Sequence, residues 1–199
     1  RLAPGVGFEA MKPAIDFYFD FSSPYSYIAS EWVDAVAARH GRAVNWHAIL
    51  LGATFQAAEL KSPVSYPIKR EYSIRDFGRS ARFASLPYVM PAKFPIPTQN
   101  AARIFWWLHD TVSPERAVAW AHAGLRAYFV RGVDLSDVAV LGTLAVESGL
   151  DAAAAQAAFE AQAQQWAEPG PHESGRKGAD DVAEESAAQV TQKPFAELG

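Results

Sequence analysis

Between Ile15 and Phe21 the chain alternates, with Phe17, Phe19 and Phe21 separated by Tyr18 and Asp20 and preceded by Asp16. A period of two rich in aromatics predicts a β-strand. The pattern stops at Ser22-Ser23-Pro24. Ser23 is a favourable N-cap, and Pro24 suits the first helical position, where its missing N–H costs nothing. Ile28, Trp32 and Val36 then recur at helical spacing, with Ala29, Val33 and Ala37 beside them. Gly41 is a natural stop. A second short apolar run, Ala43 to Ile49, predicts another strand. Strand, helix, strand makes a right-handed βαβ unit with parallel strands.

Leu50 to Phe55 leaves that unit, and Lys61 to Pro67 reads as loop. From Pro67 the period is helical, with Ile68, Tyr72 and Phe83 as apolar markers and Arg75, Arg79 and Arg82 on one face. That arginine face is either a solvated flank or a wall that guides anions. The proline-spaced run Leu86 to Pro97 cannot be helical. Thr98 opens a helix carrying Ala102, Phe105, Trp106 and His109. Ser113-Pro114 repeats the capping pattern ahead of Val118, Ala121, Leu125 and Phe129. Asp137 to Glu147 forms a further helix, and Asp151 caps an alanine-rich one to about Trp166. Residues 1–10 read as a loose arm. Residues 167–199, low in aromatics and without alternation, read as a disordered tail.

Composition narrows the chemistry. Half of the 199 residues are hydrophobic, enough for a real core. A net charge of -4 argues against a nucleic-acid partner. The chain contains no cysteine, which excludes a disulfide, a thiolate metal site and a cysteine nucleophile. Its five histidines show no ligand spacing, and no metal is expected. Neither a Gly-rich phosphate loop nor a Gly-x-Ser-x-Gly elbow is present. No apolar run approaches the ~18 residues of a membrane span, and residues 1–10 lack the apolar region of a secretory signal. The expected compartment is the cytoplasm. A serine at a strand end and helix start sits beside free N–H groups that favour an anion. A purely structural cap is the other reading of Ser23.

The stretch Asp16-Phe17-Tyr18-Phe19-Asp20-Phe21-x-Ser23-Pro24-Tyr25-Ser26-Tyr27 resembles the N-terminal signature of the 2-hydroxychromene-2-carboxylate isomerases. These are relatives of kappa-class glutathione transferases and of DsbA-type oxidoreductases, whose Cys-x-x-Cys falls where this chain has Ser23-Pro24-Tyr25-Ser26. The resemblance covers about residues 12–160. It implies an α/β, thioredoxin-like fold with a βαβ unit at 12–50, a large inserted helical subdomain at 51–166 and a tail at 167–199. It further implies glutathione as cofactor, with Ser23 as the catalytic residue that holds the sulfur as thiolate. Ser23, Pro24 and Lys69 are the implied glutathione contacts, Lys69 with Tyr72, Asp76 and Arg79 matching a pattern in the family's first inserted helices. Phe55, Phe94 and Arg103 are the implied substrate contacts. For Arg103 a structural role, bonding a loop carbonyl, stands beside the ligand role.

The family's reaction interconverts 2-hydroxychromene-2-carboxylate and trans-o-hydroxybenzylidenepyruvate, or a related aromatic enone α-keto acid. Expected partners are thus a small aromatic keto acid, no nucleic acid and no membrane, with room for a homodimer. The family pattern continues with two strands and a helix bearing a Val-Pro, whose cis proline faces the serine, and a Gly-x-Asp-Arg. Residues 167–199 contain neither, so that C-terminal part is expected to be missing. Two other readings stay open: a kappa-like transferase or peroxidase that consumes glutathione, and an inactive helical binding protein. With no sulfur nucleophile of its own, the purified protein without glutathione should not reduce a model disulfide. An insulin-reduction assay checks this, and turnover above background would refute it.

Overall fold

A computed structural model describes residues 12–150 and residue 153. The expectations for residues 1–10, for the helix from Asp151 to about Trp166 and for residues 167–199 lie outside the described residues. Strand β1, Ile15–Phe19, pairs in parallel with β2, Val44–Ala48, placing Phe17 opposite Trp46 and Phe19 opposite Ala48. The inward side of this pair is aromatic. Phe17 meets Trp46 edge-on at 4.9 Å between ring centroids, and Phe19 meets Phe105 at 5.3 Å.

The segment between the strands is two helices where the sequence predicts one: α1, Pro24–Ser30, and α2, Val33–Arg39. Trp32 leaves helical geometry at φ -134. Two causes are visible. The Ser30 hydroxyl donates to the Tyr27 carbonyl at 2.7 Å, a back-bond that bends helices. Glu31 is drawn aside by Arg126, which donates to both of its carboxylate oxygens at 2.7 Å. Gly41 ends α2 at φ 65, as its position predicts.

Leu51–Ala57 is a helix, α3, where the family resemblance implies a turn over Ile49 to Phe55; seven residues are too few for a helical period to show. A single 3₁₀ turn at Pro63–Ser65 leads into α4, Pro67–Phe83. The apolar markers of α4 face outward: Ile68 is 90% and Phe83 93% exposed. Its buried positions are Ser73, Phe77 and Ala81, also at helical spacing but mostly small. Leu86 to Pro97 is irregular, as its prolines require, and the Phe94–Pro95 bond is cis.

Helices α5 (Gln99–Thr111), α6 (Pro114–Phe129) and α7 (Val138–Glu147) complete the described fold. Ser113 caps α6 through its side-chain oxygen, as predicted, and Asp137 does the same for α7, where the sequence predicts a helix but no particular cap. Ala102, Phe105 and Leu108 of α5 share the core with Trp120, Ala121 and Leu125 of α6. Gly124 is a close-approach position: a Cβ there would lie 2.6 Å from the Phe21 ring. Phe21 therefore lies directly on the α6 backbone and fixes where the chain emerges from β1. No helix among the described residues is long and apolar enough to cross a membrane.

His122 on α6 places Nδ1 3.8 Å from the Glu31 carboxylate. Burial, helped by the nearby Arg126 charge, holds its imidazole below the ordinary 6.5. The unfolded chain therefore takes up this proton first as pH falls. The stability contribution is complete above about pH 6.5 and is lost progressively below it. Urea unfolding at successive pH values should show a shallower acid loss in His122→Phe than in the parent; equal slopes would exclude this titration.

Candidate active site

The site is built where β1 ends. After Phe19 the chain turns so that the Ser23 N–H donates to the Asp20 carbonyl at 3.0 Å. Ser23 is extended (φ -99, ψ 116), and its Oγ accepts from the Ser26 N–H at 3.2 Å, so it is the cap its position predicts. A serine hydroxyl has one hydrogen to give, and no acceptor for it is found among the described residues. The neighbouring Ser22 is already engaged. Its Oγ accepts from the Ile96 N–H at 3.1 Å and ties the proline loop to the serine turn.

A cavity of about 450 Å³ opens over this turn. Its walls are Phe55 of α3, Phe77 of α4 and Phe94 of the proline loop, with Ser23, Pro24 and Tyr25 at its base. Phe77 meets Phe94 at 5.8 Å and Tyr25 at 5.2 Å, both edge-on. Ser62 and Ser73 add hydroxyls to the lining. At the rim the Tyr25 hydroxyl donates to Asp76, which Arg79 also engages. Desolvation, then the Asp76 carboxylate, pushes the Tyr25 phenol up to about 12. Asp76 itself is held below the ordinary carboxylate value, chiefly by the Tyr25 hydrogen bond and then by Arg79.

Asp20 lies under the cavity and is 5% exposed. Its Oδ1 accepts from the Ser22 N–H at 2.6 Å and from the Thr98 hydroxyl at 3.1 Å; its Oδ2 accepts from the Leu51 N–H at 2.6 Å. Burial nonetheless pushes its carboxyl up. The strand alternation alone assigns Asp20 to the solvent side, and so misses it. The available signal is a lone acid between Phe19 and Phe21, two residues before Ser22-Ser23-Pro24.

Of the residues singled out from sequence, Ser23, Pro24, Phe55 and Phe94 come together around this one cavity, joined by Pro97. Lys69 does not line it; it is exposed on the first turn of α4, its Nζ 5.0 Å from the centre of the Tyr66 ring. Arg103 lies on α5, also outside the lining, and donates to the Asn100 side-chain oxygen at 3.2 Å. A second cavity, of about 430 Å³ between α1, α6 and α7, holds none of the singled-out residues. Among the described residues no cluster of histidine and carboxylate side chains could hold a metal ion.

A model of the DSBA-like thioredoxin domain matches residues 14–169. Over 144 residues the chain is 30% identical to 2-hydroxychromene-2-carboxylate isomerase of Sphingobium xenophagum, covering 71% of each chain. Over 83 residues it is 34% identical to Glutathione S-transferase kappa 1 of Caenorhabditis elegans, covering 41% of this chain and 37% of that one. Among solved structures, a 2-hydroxychromene-2-carboxylate isomerase superposes with a TM-score of 0.68 over 88% of this chain and 79% of that one. Its sequence identity is 21%, so this likeness bears on the fold.

Ser22→Ala should leave the Ile96 N–H without its acceptor. Urea denaturation should then show a loss of about 1–3 kcal/mol, the cost of an unsatisfied part-buried donor. Unchanged stability would mean that the tie between loop and turn contributes nothing.

Proposed function

The chain belongs to the DSBA-like thioredoxin domain family, and on that premise we propose that it is a glutathione-dependent isomerase of an aromatic enone α-keto acid. The substrate pair would be 2-hydroxychromene-2-carboxylate and trans-o-hydroxybenzylidenepyruvate, or a close analogue. The observation that carries this reading is the Ser23 hydroxyl, a donor with no acceptor among the described residues, facing an aromatic-walled cavity in a cysteine-free chain. The relatives named as isomerase and as glutathione transferase support it.

A site of this kind needs a thiol from outside, and the residues present fit one. Bound glutathione would supply a thiolate that adds reversibly to the conjugated carbon, so that the double bond rotates while single and reforms as the thiolate leaves. Ser23 Oγ–H is the donor for the sulfur, and charge-assisted hydrogen bonds are the strong ones. A free thiol near ~8.5 is only a few per cent ionised at neutral pH. Lowering that value by about two units corresponds to about 2.7 kcal/mol of preferential thiolate binding. Phe55, Phe77 and Phe94 hold the aryl ring and exclude water, while Ser62 and Ser73 offer hydrogen bonds to keto or carboxylate oxygens. Lys69, standing outside the lining, would meet a glutathione carboxylate beyond the cavity mouth.

The identity to the kappa transferase favours a second reading, conjugation or reduction of electrophiles. The two differ in stoichiometry, since an isomerase consumes no glutathione.

Ser23→Ala tests the main reading. Loss of one preorganised donor to a charged sulfur should lower isomerisation about 100-fold. Loss of the cap should cost about 1 kcal/mol of stability. Thiolate absorbance of added glutathione should appear near neutral pH with the parent and vanish with the variant. Equal rates and equal absorbance would reduce Ser23 to a structural cap.

A further inference from the structure

Each wall of the cavity comes from a different part of the chain. Ser23 belongs to the turn after β1, Phe55 to α3, and Phe94 to the proline loop that runs into α5. Nothing in their sequence spacing sets the distance between them. One side chain touches the root of all three. Asp20 accepts from Ser22, which precedes Ser23; from Leu51, the first residue of α3; and from Thr98, at the junction of the proline loop with α5. Its backbone adds two more ties, accepting from the Ser23 N–H at 3.0 Å and donating to Ser26 Oγ at 3.2 Å.

Thr98 supplies an independent observation. It occupies the N-cap of α5, where its oxygen would ordinarily close the first turn, yet its side chain makes no capping bond. Its hydroxyl is directed to Asp20 instead, and Thr98 is itself 4% exposed. A carboxylate buried beside Phe19 and Phe21 is costly unless its oxygens are satisfied, and here they are satisfied by the groups that carry the site.

We propose that Asp20 is the positioning residue of this cavity: it sets the distance between the Ser23 hydroxyl and the aromatic walls and so governs turnover of the aromatic substrate. This rests on reading the cavity as catalytic. The role is geometric, because Asp20 acts through Ser22, Leu51 and Thr98. Asparagine keeps the size but cannot keep the ties. One orientation sets its amide N–H₂ against the Ser22 N–H, the other against the Leu51 N–H.

Two measurements on the full chain test this. In Asp20→Asn, kcat should fall about 100-fold, the scale of an ångström-sized misplacement. KM for the aromatic substrate should rise, while the thiolate absorbance of glutathione persists because the Ser23 hydroxyl is intact. Amide hydrogen exchange at Ser22 and Leu51 should accelerate together, with exchange at Leu108 in the α5 core unchanged. Thr98→Val, which removes a single tie, should move kinetics and exchange the same way by less; it is the test if Asp20→Asn does not fold. Wild-type kcat and KM with slow exchange at both amides, in either folded variant, would overturn the proposal. If the parent shows no glutathione-dependent turnover, the functional reading fails and exchange alone decides: acceleration supports the positioning role, and unchanged exchange refutes it.

Discussion

A carboxylate withdrawn from water must be given donors, and this requirement at Asp20 organises the region around it. Ionised carboxylates accept only, so each of its oxygens calls for an N–H or O–H. The donors that answer come from residues 22, 51 and 98. Meeting the requirement therefore joins an early turn, the exit from β2 and the end of the proline loop at one point. A cavity formed between such segments inherits their fixed spacing.

That point is held from below by aromatic packing. Phe19 and Phe21 are fully buried, and burying such a side chain is worth about 1.5–3 kcal/mol. Phe21 can sit where it does only because α6 offers Gly124, with no side chain to displace it. The indoles that share this core keep their N–H groups satisfied: Trp106 donates to the Ala48 carbonyl at 3.0 Å and Trp120 to the Ala101 carbonyl at 2.9 Å. Aromatic faces and satisfied indoles make a firm floor under the serine turn, which suits a site that must hold its geometry.

What was legible in the sequence was local. The alternation through Phe17, Phe19 and Phe21, the Ser-Pro caps at Ser23 and Ser113, the helix from Asp137 to Glu147 and the proline loop each depend on neighbours within a few residues. Ser23 and Pro24 stand out in the same way, while Phe55 and Phe94 come forward through the family resemblance. What stayed hidden depends on distant partners. The break after Ser30 involves Arg126, ninety-five positions from Glu31 along the chain. The outward face of α4 could not be told from its inward face, because Ile68 and Tyr72 share the same four-residue spacing as Ser73, Phe77 and Ala81. Asp20 has the pattern of a solvent-side acid, and only its three donors, two of them remote in sequence, reveal its burial.

The outward face of α4 has a colloidal consequence. Ile68 and Phe83 project into solvent about 22 Å apart, at 1.5 Å per residue, with Arg75, Arg79 and Arg82 between them. Two molecules that meet by this face bring apolar tips and like charges together at once. At physiological ionic strength charges are felt over about 8 Å, and in concentrated salt over about 3 Å. Arg75 faces Glu71 and Arg79 engages Asp76, but the helix keeps an excess of positive charge, which would oppose such a meeting in dilute buffer and less so as salt rises. Any contact between copies through this helix would therefore depend on ionic strength, a property separate from the chemistry on its inner side.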